Sequence, residues 1–249
     1  MKKAIILLLF FSLKLNGFGQ KPKLFIHEDD TCFVLPDSLK MEDFSYFNKP
    51  NQSFSNGIWI QFIDSNFFCK FTLKNNILHG KYAYFRPEIE AQGNYTSGTR
   101  QGPYFRYNKS GDIVYKCYFE SGNQLDSYFY YSNRNLKKRF LNTSDTTSFH
   151  SYYYLNGFKK SEGTYFNKYN VTTSEFDFWK IGKWSNWFGN GVIKSSGYYN
   201  DGKKDSVWKY YNEKSEFEKC EYYKKGILIK SSFTSIFNKE GEEIETPEK

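Results

Sequence analysis

The residues able to do chemistry are few and scattered. His27, His79 and His150 are far apart along the chain and show none of the close spacing that gathers a metal ion. His79 stands just before Gly80, where a polar turn residue is expected, and "HEDD" (His27 to Asp30) reads as solvated charge. No G-x-S-x-G, Walker A or H-E-x-x-H pattern occurs. A carboxylate pair of the glycoside-hydrolase kind would have to assemble from distant segments, and no spacing in the sequence announces one. The expectation is a non-catalytic protein with no metal, no cofactor and no small-molecule substrate.

Four cysteines, Cys32, Cys69, Cys117 and Cys220, could pair in three ways in an oxidising compartment. Alignment of the repeat described below puts Cys117 and Cys220 on opposite sides of a sheet and four units apart. That separation is about 40 Å at two strands per unit, far beyond the ~7 Å Cα reach of a disulfide. Pairing of Cys32 with Cys69 stays open.

What must hold any site is a chain dominated by rings. Aromatics make up 21% of the 249 residues against 39% for the whole hydrophobic set, so more than half of that set is aromatic, a bias toward strands. At the N-terminus, Lys2 and Lys3 precede an apolar run from Ala4 to Leu13, followed by Gly17 and Gly19. This is the pattern of a secretory signal peptide over residues 1–19, and the run is about half of what a bilayer span needs. The formal charge of +8 includes Lys2, Lys3 and Lys14, so the exported chain is only mildly basic. That balance and an exported location argue against a nucleic-acid partner.

A repeat runs through the rest. "GPYFRYNKSG" (Gly102 to Gly111), "GKWSNWFGNG" (Gly182 to Gly191) and "SVWKYYNEKS" (Ser206 to Ser215) align with a ring at the third position and another at the sixth. The third-position series is Trp59, Tyr82, Tyr104, Tyr128, Tyr152, Trp184 and Trp208, at intervals of 22 to 24 residues apart from one of 32. The sixth-position series is Phe62, Phe85, Tyr107, Tyr131, Leu155, Trp187 and Tyr211. Turn signals such as "NKSGD" and "NDGKKD" separate the strands.

The chain therefore reads as all-β, an elongated single-layer antiparallel sheet of about seven successive β-hairpins over residues 56–230. An N-terminal cap (20–55) and a C-terminal cap with a polar tail (231–249) protect the open edges. Side chains alternate along a strand, so Trp184 and Trp187 face opposite sides. Equivalent strands lie about 9.5 Å apart, too far for ring contact at roughly 4.5–7 Å. The expectation is that later tyrosines, Tyr118, Tyr198 and Tyr222, fill the strands between.

Two irregularities are candidate binding elements. The long interval places an aromatic insertion near residues 166–180, with Phe176, Phe178 and Trp179 as candidate partner contacts. "NLKKRF" offers a basic patch of Lys137, Lys138 and Arg139, for which a solvated charge run is the competing reading.

A glycine, a ring two residues on, another ring three later and a closing glycine, at this period, resembles the MORN repeat (membrane occupation and recognition nexus) in its bacterial variant. In "SVWKYYNEKS" serines replace the glycines, and in "DSYFYYSNRN" Asp and Asn do so. The resemblance implies a hairpin array that binds proteins or membranes. Bacterial members often carry the label of an antitoxin component, a cytosolic role at odds with an export signal. The expectation is an exported module, periplasmic, surface-held or secreted, that binds or scaffolds a protein partner in the cell envelope. A glycan or an anionic membrane surface is the alternative ligand.

Overall fold

The computed structural model describes residues 23–27, 30–34, 56–62, 67–86, 88–170 and 174–245. The signal peptide and most of the N-terminal cap expected above lie outside them. The described residues are all-β, with no helix, and the strands follow one another as antiparallel hairpins. The chain divides into two compact units, residues 1–125 and 126–249.

The first unit holds β1 (Lys23–His27), β2 (Asp30–Val34), β3 (Gly57–Phe62), β4 (Phe68–Lys74), β5 (Ile77–Phe85), β6 (Ile89–Thr96), β7 (Thr99–Arg100), β8 (Gly102–Tyr107) and β9 (Ile113–Glu120). β1 pairs antiparallel with β2, and β2 runs parallel to β3, the one parallel pairing among the described strands. From β3 to β6 each strand pairs antiparallel with the next, β7 and β8 both pair antiparallel with β6, and β8 pairs antiparallel with β9. Neighbours Trp59 and Ile60 point to opposite faces and are both fully buried, so the sheet is covered on both sides at β3.

The second unit continues from β10 (Asn123–Tyr130) through β11 (Leu136–Ser144), β12 (Thr147–Tyr153), β13 (Lys159–Asn170), β14 (Glu175–Trp187), β15 (Ile193–Asn200), β16 (Lys203–Tyr211), β17 (Phe217–Lys224) and β18 (Ile227–Ser232). A small hairpin of β19 (Ile236–Phe237) and β20 (Glu243–Glu245) follows, and its Ile236 and Phe237 pack with Cys220 of β17.

Two turn types alternate along the array, and local chemistry selects them. At one end of the strands sit two-residue turns with both residues left-handed, as at Asp201 (φ 49°) and Gly202 (φ 74°). This is the type I′ geometry whose twist matches that of the paired strands. The Gly202 N–H then reaches back to the carbonyl of Lys180, 3.0 Å away in the preceding hairpin, and Gly98, Gly122 and Gly226 make the equivalent bond.

At the other end, three-residue loops close with a left-handed residue and a bulge. The Phe188 N–H donates to the Val192 carbonyl at 2.8 Å, and the pairing shifts register between Asn186 and Trp187. Loop asparagines tie these ends together. Asn133 donates to Leu155, Asn156 to Gly189 and Asn190 to Glu213, each through Nδ2 to a carbonyl of the next loop at 2.9, 2.7 and 3.1 Å. Hydrogen bonds thus link successive hairpins at both ends of their strands.

Candidate binding faces

One face of the second unit carries a continuous file of rings, one per strand. Phe129, Phe140, His150, Tyr165, Trp184, Tyr199 and Trp208 follow one another from β10 to β16. Their successive centroid separations are 5.4, 4.2, 4.5, 5.1, 6.0 and 5.1 Å. Every step but the closer Phe140–His150 stack lies within the roughly 4.5–7 Å range of attracting aromatic pairs.

Glycines make the file possible. A Cβ at Gly163 would run into the Trp184 indole, and one at Gly197 into that of Trp208, so each indole lies flat on the bare backbone of the preceding strand. Each Nε1 then donates to a carbonyl of that strand, Trp184 to Thr164 at 3.1 Å and Trp208 to Tyr198 at 2.9 Å. Both indoles are 1% exposed.

The pairing corrects the sequence alignment of the rings. Trp184 and Trp208 stand four residues before Phe188 and Asn212, the first residues of their loops, and Tyr104 stands four before Asn108. Counting four back from the loops at Tyr131 and Tyr154 gives Ser127 and His150, both buried. Tyr128 and Tyr152, taken as repeat-defining in the sequence, are therefore not the equivalents of the tryptophans. Tyr128 turns to the opposite face, where its hydroxyl donates to Asp126 at 2.8 Å. Tyr152 shares the file's face two residues beyond His150, and their rings are 6.3 Å apart. Trp59 and Tyr82 are buried, and Tyr104 is partly buried.

The interleaving is likewise shifted by one residue. Tyr199 bridges Trp184 and Trp208, whereas Tyr198 faces away and is 45% exposed. In the first unit Phe119 meets Tyr104 at 6.4 Å, while Tyr118 is exposed. Tyr222 packs against the Cys220, Ile236 and Phe237 cluster on the side away from the file. In "YY" and "YF" pairs, sequence alone does not say which ring takes which side. Tyr95 lies 4.9 Å from Tyr82, and Tyr165 lies 5.1 Å from Trp184.

Lysines lie over the file. Lys138 is 4.9 and 5.1 Å from the Phe129 and Phe140 centroids, and Lys180 is 4.3 and 5.0 Å from those of Trp184 and Tyr199. Lys204 is 4.7 Å from Trp208 and donates to the Tyr210 hydroxyl at 2.6 Å. Burial pulls the ammonium groups of Lys180 and Lys204 below the usual lysine range.

Beside Lys204, Glu221 accepts from Lys219 at 2.7 Å and from the Tyr223 hydroxyl at 2.8 Å. Burial works to raise the Glu221 carboxyl, but hydrogen bonds from Lys219, Tyr210 and Tyr223 win and hold it below the usual range. Register places Asp126, Glu162, Glu175, Asp177 and Asp205 on the other face, and Glu218 is the unpaired residue of the β16–β17 bulge. In the described strands β10–β17, Glu221 is thus the one register-paired carboxylate on the face of four lysines, Lys138, Lys180, Lys204 and Lys219.

The aromatic insertion is a longer hairpin. Asn167 pairs with Phe178, Lys168 with Asp177, Tyr169 with Phe176 and Asn170 with Glu175, so β13 and β14 extend as a two-stranded arm. β12 pairs with β13 only as far as Phe166, and β15 pairs with β14 only from Gly182. Alternating rings and polar residues in "FNKYN" and "EFDFW" favour a strand over a loop. Phe178 is 55% exposed on the arm, and Trp179 lies partly buried 6.1 Å from Phe166. The side chain of Phe176 lies outside the described residues.

The basic patch does not gather. Lys138 belongs to the ring file, whereas Lys137 lies 5.5 Å from the Tyr131 ring and Arg139 pairs with Asp126 at 3.1 Å on the opposite side.

The nearest approach to a nucleophile and base pair is the 2.7 Å contact between Ser148 Oγ and His150 Nε2. Both are buried, and the imidazole is sandwiched between Phe140 and Tyr165. This arrangement stacks and hydrogen-bonds a ring within the file and leaves it no open approach. Cys69, Cys117 and Cys220 carry buried, free thiols, and no group of three metal-ligating side chains occurs among the described residues.

No family model matches the sequence, and no curated protein matches it. Among solved structures, the crystal structure of the GtfA/B complex bound to UDP and GlcNAc is similar over 59% of this chain and 31% of its own. Its identity is 11% and its TM-score 0.20. A protein with unknown function from Bacteroides fragilis is similar over 68% of this chain and 91% of its own, at 12% identity and a TM-score of 0.12. At these TM-scores neither likeness bears on fold or function.

Proposed function

We propose that the chain is an exported, non-catalytic MORN-like repeat module that binds a protein partner in the cell envelope. The observation that carries this reading is the β13–β14 arm, which runs past the strands on either side and exposes Phe178. A ring held out on paired strands keeps its conformational entropy loss low on binding, and such anchors dominate interface energetics. The signal-like N-terminus and the resemblance to MORN repeats agree with the reading.

A photo-crosslinking residue at position 178, with a second at Lys203 as control, tests it in cells. One envelope protein joined to position 178 and absent from the Lys203 sample supports the proposal. Identical patterns at both positions would sink it, as would a chain retained in the cytosol with residues 1–19 uncleaved.

A further inference from the structure

The face bearing the ring file offers a second ligand surface. Its ammonium groups follow one another across the strands. Across the sheet, Lys180 on β14 and Lys204 on β16 are two strands apart, about 9.6 Å, and Lys138 on β11 is three strands, about 14 Å, from Lys180, its backbone level with Ser161 where that of Lys180 is level with Tyr165. Glu221, the one register-paired carboxylate on this side among the described strands β10–β17, is already bonded to Lys219. Lys138, Lys180 and Lys204 therefore make a row of positive charge that the single carboxylate beside Lys204 does not balance, at half-buried positions where water screens poorly.

We propose that this face of the second unit binds an acidic polysaccharide laid across the strands, its carboxylates on Lys180, Lys204 and Lys138 and its sugar C–H faces on Phe178 and Tyr199.

Three features favour a sugar chain. The lysines lie down on rings and the indoles beneath them are recessed, so a thin polymer reaches them and a flat bilayer does not. Strands β11 to β17 are each paired on both sides, leaving none of the open main-chain groups that an extended peptide requires. Half-buried rings and tyrosine hydroxyls suit a ligand made of hydroxyls, C–H faces and spaced carboxylates. The surface meets the arm at Phe178, and purified components test it without reference to the protein partner.

Titration of the full chain with polygalacturonate, and with the same polymer after its carboxyls are reduced, gives the test. Binding is expected for the first polymer alone, weakening as salt rises. The Lys180→Met, Lys204→Met pair, which keeps the stems over the rings, should lower affinity about tenfold or more. The Lys183→Met, Lys209→Met pair on the opposite face should leave it unchanged. Equal binding of the reduced polymer, or equal loss in both lysine pairs, overturns the proposal. So does binding of polyglutamate or anionic liposomes in place of the polyuronate. If the methionine pair does not fold, coupling of carbodiimide-activated polygalacturonate to the unmodified chain decides: amides at Lys180 and Lys204 support the site, and amides confined to Lys183 and Lys209 refute it.

Discussion

Trp208 lies flat against Gly197, its indole on the bare backbone of the preceding strand and its Nε1 bonded to the Tyr198 carbonyl at 2.9 Å. Trp184 and Gly163 repeat the arrangement one hairpin earlier, with Nε1 bonded to Thr164. The indole buries one strand's backbone while closing the ring file above it, so one residue joins two hairpins.

Gly197→Ala should therefore be strongly destabilising. The added methyl must displace the indole, a small-to-large change costing about 2–3 kcal/mol and lowering Tm by roughly 4–10 °C. Gly189→Ala, where nothing lies within 4 Å of the new Cβ, is the control and should be near neutral. Equal melting temperatures for the two variants would contradict the stacking described.

Tyr199 and Tyr198 offer a paired test of side assignment. Tyr199→Ala removes the ring between Trp184 and Trp208 and should cost about 2–3 kcal/mol. Tyr198→Ala, at an exposed ring, should stay within about 0.5 kcal/mol. Urea denaturation of both variants decides it, and the reverse order would reinstate the one-residue shift that sequence alone suggested.

His150 makes the file sensitive to acid. Burial and the Lys138 charge pull its pKa down to about 4 from the ordinary 6.5. Between those values the unfolded chain binds a proton that the folded chain does not, so stability present above pH 6.5 is lost as pH falls toward 4. The full loss is about 3 kcal/mol from this residue. Unfolding midpoints measured from pH 7 to pH 4 should fall more steeply for the natural chain than for His150→Phe, and parallel profiles would refute the assignment.

The buried thiols should be inert. Cys69 is pushed up to about 12 by burial, and burial raises Cys117 and Cys220 as well. A disulfide-exchange reagent at pH 8 should label none of these three until denaturant is added. Rapid labelling of the native chain would show that one or more of these sites opens.

Much of the architecture was legible from the residues. The ring period and the turn dipeptides led to an all-β hairpin array, and the array is what forms. The basic run at Lys137 to Arg139 was misleading as a patch, because alternation divides adjacent residues between faces. The lysines that gather, Lys138, Lys180 and Lys204, come from three different hairpins and carry no local signal.

Composition and period dictate paired strands, since rings spaced this way with turn residues between them satisfy no helix. Which neighbour of each aromatic pair turns inward is settled only when the strands register. A serine and a histidine hold ring positions at 127 and 150 for the same reason. Side is a property of pairing, and each loop bulge shifts the pairing by one residue, a displacement that becomes visible only once both strands are in place.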